Sequence, residues 1–220
     1  GNAASNTLAG GSGNDTLQGA GGNDVLRADA GDDVLDGGSG SDQMTGAAGN
    51  DVYWVDSTGD VVTEAIRSGT DLANASLTYL LGGNVENLML VGTSAISGTG
   101  NAAANVITGN AAANTLNGGS GNDRLAGAGG NDVLTGSTGT DTFVFSYNGG
   151  SDTVTDFANG SEKFDLQAVA GLNSFSQLVL TDTGPGVLVH YGTGSFLVAN
   201  ASNFASVDAI IAHVNADQQV

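Results

Sequence analysis

The chain has 220 residues, with 23 acidic and only 4 Lys or Arg side chains, so its formal net charge is −19. This balance excludes nucleic-acid binding, which depends on Lys and Arg contacts to phosphates. With 37 Gly, 1 Pro and 0 Cys, disulfide scaffolds, thiol nucleophiles and Cys-ligated zinc are also excluded. No stretch approaches the roughly 18 apolar residues of a membrane span, so no transmembrane segment is predicted.

A nine-residue repeat organises two parts of the chain, residues 10–54 and 118–144, and these eight blocks share one pattern. The first two blocks are GGSGNDTLQ (10–18) and GAGGNDVLR (19–27), and position four is Gly in every block. Position six is always Asp: Asp15, Asp24, Asp33, Asp42, Asp51, Asp123, Asp132 and Asp141. Position eight is always large and apolar: Leu17, Leu26, Leu35, Met44, Tyr53, Leu125, Leu134 and Phe143.

Degenerate copies of the repeat flank both runs. The blocks 1–9, 100–108 and 109–117 keep an apolar eighth position but carry Asn6, Asn105 and Asn114 where the other blocks have Asp. In the middle segment the eighth-position register continues at Val62, Leu80 and Met89 and fails at Asp71 and Gly98. This pattern favours one continuous stack with imperfect turns.

Each block predicts a Gly-rich turn followed by a short strand. Glycines supply the positive φ values of a tight turn, and strand alternation points the eighth side chain inward and its neighbours outward. One block then forms half of a flattened coil, and two blocks return the chain to the same face one layer higher. Asp15 is expected beside Asp33, Asp24 beside Asp42, Asp33 beside Asp51 and Asp123 beside Asp141.

Stacked carboxylates about 4.7–4.9 Å apart repel and require a cation between them. Two opposed calcium ligands span roughly 4.6–5.2 Å, whereas magnesium bonds are shorter and demand octahedral geometry. Oxygen ligands alone favour a hard ion, so calcium is predicted. One buried apolar side chain per block is too little to offset the ordering of that block's backbone, so ion binding is expected to drive folding.

These blocks resemble the repeats-in-toxin (RTX) nonapeptide GGxGxDxUx, over about residues 1–63 and 100–166. The resemblance implies an all-β, right-handed parallel β-roll with a C-terminal β-rich cap, and several Ca²⁺ ions between neighbouring turns. The position-six Asp residues would be ligands, together with carbonyl groups of the turns. The glycines of those turns are Gly10, Gly11, Gly13, Gly19, Gly21, Gly22, Gly31, Gly37, Gly38, Gly40, Gly46, Gly49, Gly118, Gly119, Gly121, Gly127, Gly129, Gly130, Gly136 and Gly139. About four well-formed sites are expected, with one to three more at the flanks, where Asn-containing sites should be weak or absent.

After the second run, residues 142–166 resemble the family's exit from the roll, where Asp152 and Asp156 are expected to close a last site with the turn at 127–132. Beyond it, strands are predicted at 187–191 and 196–199, with a Gly-Pro-Gly hairpin at 184–186 and a short helix near 207–214. In the family, rolls lie near the C-terminus of type I-secreted proteins, which carry an uncleaved signal in their last residues.

The remaining candidate residues have simpler interpretations. His190 and His213 are expected to be structural, Tyr53 to fill the core and Trp54 to cover an edge. Stacking of Tyr53 and Trp54 on a sugar is the alternative. Seven further acids are predicted to be solvated or to cap loops, with Asp60 as an alternative degenerate ligand: Asp29, Asp32, Asp36, Asp56, Asp60, Glu64 and Asp71.

The predicted organisation is a first β-roll at 1–63, irregular connecting turns at 64–99, a second roll at 100–144 and a cap with a possible secretion signal at 145–220. No catalytic constellation is visible, so these residues are not expected to form an enzyme, although a catalytic domain could precede them. The leading hypothesis is a calcium-binding module that folds outside a Gram-negative cell, as the C-terminal part of a protein exported by type I secretion machinery. The alternatives are an accessory module of a secreted protease, lipase or alginate epimerase, and a surface-layer or adhesin domain that binds polysaccharide or itself.

Overall fold

The computed structural model describes residues 1–66, 68–146, 149–157, 161–166, 179–182, 186–191 and 194–199. These residues form strands and turns without a helix, and the predicted all-β, right-handed parallel β-roll is confirmed. None of them forms a helix long and apolar enough to cross a membrane. The predicted helix at 207–214, His213, the centre of the 184–186 hairpin and the possible secretion signal lie outside the described residues.

One face of the roll is a nine-stranded parallel sheet that continues through both runs of repeats and the segment between them. Strands are numbered in chain order. The nine strands of this sheet carry even numbers, and each pairs with the next one in the sheet. They are β2 (Thr16–Gln18), β4 (Val34–Asp36), β6 (Val52–Val55), β8 (Leu72–Ala75), β10 (Asn87–Leu90), β12 (Val106–Thr108), β14 (Arg124–Ala126), β16 (Thr142–Val144) and β18 (Lys163–Asp165).

The opposite face is divided into two sheets. A four-stranded parallel sheet contains β1 (Thr7–Ser12), β3 (Val25–Ala30), β5 (Gln43–Ala48) and β7 (Val61–Thr63). An eight-stranded sheet contains β9 (Tyr79–Leu80), β11 (Ser97–Thr99), β13 (Thr115–Asn117), β15 (Val133–Thr135), β17 (Ser151–Val154), β21 (Gly194–Ala199), β20 (Gly186–Tyr191) and β19 (Val179–Asp182), in that order. Its last two pairings, β21 with β20 and β20 with β19, are antiparallel, and they confirm the predicted strands of the β-rich cap.

The pairing register within the repeats is two blocks, as predicted. Leu17 pairs with Leu35 and Leu35 with Tyr53 on one face, while Leu26 pairs with Met44 on the other. The eighth-position side chains therefore stack in the interior, and Tyr53, Met44 and Leu35 are fully buried. A row of aromatic rings continues this core toward the cap, where Phe145 stacks on Phe196 with ring centroids 4.1 Å apart.

In the middle segment the predicted register is confirmed at Val62, which pairs with Met44 and packs against the core, but it is wrong by one residue at the next two positions. Leu80 and Met89 were expected inside but are 64% and 41% exposed, and their neighbours Tyr79 and Leu88 occupy the inward positions. The coils there are no longer two blocks long, since Tyr53 pairs with Ala73 and Ala73 in turn with Leu88. At the next eighth position a glycine, Gly98, replaces the large apolar residue, but it still pairs in register with Leu116.

The invariant position-four glycines are explained by both conformation and space. Their φ values lie between +98° and +148° in all eight blocks. From the second layer on, they also approach the preceding coil: a Cβ on Gly121 would lie 2.5 Å from the carbonyl oxygen of Ala103. Position two also has positive φ, between +70° and +103°, although Ala20, Ala47 and Ala128 occupy it in three blocks.

Two position-four glycines distinguish the effect of positive φ from the effect of close contact with the preceding coil. Gly13 has a φ of +108° and nothing within 4 Å of an added Cβ, while Gly121 has a φ of +113° and the close carbonyl. Gly13→Ala is expected to cost about 1–3 kcal/mol of backbone strain. Gly121→Ala should cost about 1–3 kcal/mol more, because overpacking adds to that strain. Calcium-saturated thermal unfolding would measure the difference, and equal losses would mean that contact between coils does not constrain position four.

Candidate metal sites

The position-six carboxylates form two ladders along the roll. The backbone N–H of seven of the eight position-six Asp residues donates to Oδ1 of the Asp one coil later. Asp15 donates to Asp33 at 2.7 Å, and Asp33 to Asp51 at 2.9 Å. On the other side Asp24 donates to Asp42 at 2.7 Å. The predicted stacking of Asp residues two blocks apart is therefore present, and a backbone N–H fixes one oxygen of every position-six carboxylate except that of Asp15, which begins its ladder.

The second oxygen of these carboxylates is left without a partner. Among the described residues, nine Asp Oδ2 atoms are buried and make no hydrogen bond: those of Asp15, Asp24, Asp33, Asp42, Asp51, Asp71, Asp123, Asp132 and Asp141. A buried anionic oxygen without a partner is costly, so its environment must supply a positive charge. This is the observation that points most directly to a bound cation.

In seven of the eight blocks this oxygen faces the glycine that begins its own turn, and in the block of Asp33 that position is Ala28. A Cβ on Gly10 would lie 2.6 Å from Asp15 Oδ2, and one on Gly19 would overlap Asp24 Oδ2 and lie 2.6 Å from the carbonyl oxygen of Gly37. The missing side chain thus leaves a space lined by a carboxylate oxygen and a carbonyl oxygen of the next coil. This donor set suits a hard divalent ion, and the layer spacing suits calcium better than magnesium.

The buried carboxyl groups hold their protons more tightly than exposed ones. Burial, more than neighbouring charge, raises the pKa of Asp123 and Asp132 to about 6 and that of Asp152 to about 7. Burial also raises the pKa of Asp42 and Asp51. Because ligation requires the deprotonated form, protons compete with a metal ion at these positions.

The exit from the second run only partly follows the prediction. Asp152 accepts the N–H of Asp132 at 3.0 Å and thus extends the ladder at the turn 127–132. Asp156 does not belong to that turn: it accepts the N–H groups of Gly136 and Ser137, at 3.0 and 2.7 Å. Because Val154 pairs with Leu134, Asp156 lies beside the turn that begins at Gly136 and not beside the predicted turn at 127–132.

A family model for the RTX calcium-binding nonapeptide repeat, four copies long, matches residues 1–35, 18–53, 99–134, 108–143 and 117–154. The chain belongs to this RTX family. Its repeats therefore form a calcium-binding module. No curated protein matches the chain.

Among solved structures, the RTX chain is similar to the extracellular lipase LipA from Serratia marcescens, at 20% sequence identity and a TM-score of 0.32. The match covers 94% of this chain and 38% of the lipase chain, so the RTX chain spans well under two thirds of that protein's length.

Two Asn-containing turns of the RTX roll, those of Asn105 and Asn114, satisfy their side-chain hydrogen bonds without an ion. Asn105 Oδ1 accepts the N–H of Asn101 in its own turn, while Nδ2 donates to the carbonyl oxygens of Val85 and Glu86 in the preceding coil, at 3.2 and 3.1 Å. Asn114 likewise donates to the carbonyl oxygen of Ile96 at 2.8 Å. The amide donates at a place where a carboxylate leaves an oxygen unpaired, which supports weak or absent calcium binding at these turns.

Several acids outside the nonapeptide pattern also join the ladders. Asp71 and Glu64 were expected to be solvated but are buried, at 0% and 7% exposure. Asp71 Oδ1 accepts the N–H of Asp51, and Glu86 Oε2 accepts that of Asp71. Asp60 Oδ1 accepts the N–H of Asp42 at 3.1 Å. Asp60 therefore lies in the ladder, as expected if it is a degenerate ligand. An irregular coil length hid Asp71, because it follows Asp51 at a separation longer than two blocks.

Other predicted side chains lie where the repeat pattern put them. Tyr53 is fully buried, whereas Trp54 on the next position is 44% exposed. Asp29, Asp32 and Asp56 are exposed, and His190 lies exposed on β20.

Proposed function

We propose that this RTX chain is a calcium-dependent folding module of an exported protein, with the position-six Asp residues and turn carbonyl groups as ligands. The observation that carries the proposal is the ladder of buried Oδ2 atoms without hydrogen-bond partners among the described residues. Calcium between successive coils would satisfy these oxygens and offset the charge of −19 that opposes compaction.

Folding that depends on calcium binding suits export from the cell. Extracellular modules bind calcium at about 10⁻⁴–10⁻³ M, well above the range in which cytosolic sensors operate. A chain with sites of that affinity would stay unfolded in the cytosol, thread through a type I secretion channel and fold outside a Gram-negative cell. Folding on the far side would oppose its return. In this proposal the module acts structurally, and any catalytic activity would belong to another part of the protein.

Asp33 and Asp15 provide the test of the ligand assignment. Asp33 has a stacked Asp on each side, Asp15 and Asp51, whereas Asp15 begins its ladder. Asp33→Ala is therefore expected to remove two calcium sites, and Asp15→Ala one. Asp33→Ala also leaves the N–H of Asp15 without its acceptor, at a further cost of about 1–3 kcal/mol.

Calorimetric calcium titration of both variants would give the ion count, and unfolding in saturating calcium would give the stability. Equal losses of calcium and stability would contradict sites formed between Asp residues two blocks apart. Calcium binding unchanged in both variants would exclude these Asp residues as ligands.

A further inference from the structure

We propose that Asp51, Glu64 and Asp71 form a calcium site at the end of the first run of repeats, with a side-chain ligand that the nonapeptide does not supply. The inference rests on the proposed function for the identity of the ion. It differs in its ligand set, since Glu64 lies outside every stretch matched by the family model.

Glu64 occupies the place of a repeat's first glycine. Thr63 at the end of β7 pairs with Thr45 of β5, so Glu64 stands one coil after Gly46, the first residue of its block. Elsewhere in the roll this place contributes a backbone carbonyl near the preceding coil's carboxylate, as Gly37 does beside Gly19. At Glu64 the coil also contributes a carboxylate.

That carboxylate turns into the roll and meets two others. One oxygen each from Asp51, Glu64 and Asp71 lies within 4.8 Å of the others, and all three residues are buried. Two opposed calcium ligands span roughly 4.6–5.2 Å, so a single ion can contact all three. Gly46 leaves the space: an added Cβ there would lie 2.5 Å from Glu64 Oε1 and would overlap Asp51 Oδ2.

The cluster is not completed by its own hydrogen bonds. Glu64 accepts the hydroxyl of Tyr53 through Oε1 and that of Ser68 through Oε2, which orients the carboxylate. Asp51 and Asp71, at 1% and 0% exposure, each keep an Oδ2 atom without a partner among the described residues. Two such anionic oxygens beside a third carboxylate require a cation, because their mutual repulsion is strong where water is excluded.

The charge of this site distinguishes it from the sites between repeats. A repeat contributes one carboxylate per coil and completes its ligands with neutral carbonyl groups, whereas here three carboxylates converge. Calcium affinity rises with the number of charged ligands and with the rigidity of the site. The junction site is therefore expected to bind calcium more tightly than the repeats and to attach Glu64 and Asp71 to the end of the first run.

The test compares Glu64→Gln with Asp29→Asn. Gln keeps the shape of Glu64 and an acceptor for the Tyr53 hydroxyl, but it removes the charge. Asp29→Asn removes one charge at an exposed position with a φ of +77°, which Asn tolerates. In calorimetric titration, Glu64→Gln should bind one calcium ion fewer and lose the tightest binding phase, while Asp29→Asn should match the wild type.

The outcomes separate this inference from the proposed function. Wild-type count and affinity in Glu64→Gln would overturn the junction site and leave the repeat sites standing, whereas a wild-type chain that binds no calcium would overturn both. If Glu64→Gln does not fold, anomalous diffraction from wild-type crystals soaked in terbium decides: a peak among the three carboxylates supports the site, and peaks only between position-six Asp residues overturn it.

Discussion

Chelation of calcium at neutral pH is expected to abolish the β-sheet circular dichroism signal, and calcium at about 10⁻⁴–10⁻³ M is expected to restore it. Without the ion, nine buried Asp oxygens among the described residues lack a partner. Each repeat buries one large side chain, which cannot offset both this cost and the ordering of its backbone. Binding free energy must therefore supply the folding free energy.

Magnesium at the same concentration is the matched control, and it should restore little signal because its shorter bonds do not span two layers. Hydrogen exchange after chelation would locate any residual structure. The coils containing Asn105 and Asn114 should lose protection last, since their side-chain hydrogen bonds need no ion. A roll that stays fully folded in excess chelator would leave calcium without a folding role and the export mechanism unsupported.

Acidification is expected to stabilise the metal-free chain. Burial raises the pKa of Asp123 from 3.8 to about 6, and that of Asp152 from 3.8 to about 7, so between these limits the folded chain holds protons that the unfolded chain releases. Stability is then fully present below about pH 4 and falls as the pH rises toward 7. Each pKa unit corresponds to about 1.4 kcal/mol for each group.

Thermal unfolding in chelator at several pH values between 4 and 7.5 would measure this dependence. The calcium-bound chain should show the opposite trend, because protons displace the ion as the pH falls, and calcium binding near pH 6 should release protons. Asp123→Asn removes one titrating group, introduces an amide like that of Asn105 and keeps an Oδ1 acceptor, and it should flatten the metal-free profile. A metal-free chain that is most stable at pH 7.5 would contradict the burial of protonated carboxyl groups.

The regular repeats could be predicted from sequence because each block repeats one physical solution. Position four needs positive φ and no side chain, position six anchors the next coil, and position eight fills the core, so Leu17, Leu35 and Tyr53 lie as their spacing requires. The same rule places Asp15, Asp33 and Asp51 in one ladder.

The middle segment could not be predicted in the same way, because its coils change length. Tyr53 and its partner Ala73 are separated by more than two blocks, and this shift moves Leu88 inward in place of Met89. Asp71 was missed for the same reason, because it lies more than two blocks after Asp51. Glu64 was missed for another reason: it stands in register after Gly46, at a position where the nonapeptide has a glycine and no side-chain ligand. Their burial is visible only when the paired strands show which residues face each other.

The most direct test of calcium-driven folding is an ion count made alongside the folding signal. Equilibrium dialysis at increasing free calcium gives the number of ions bound per chain, and circular dichroism of the same samples gives the β content. The ladders predict that the two curves rise together and that several ions are bound when the sheet signal is complete. A complete sheet signal with no calcium bound would contradict calcium-driven folding.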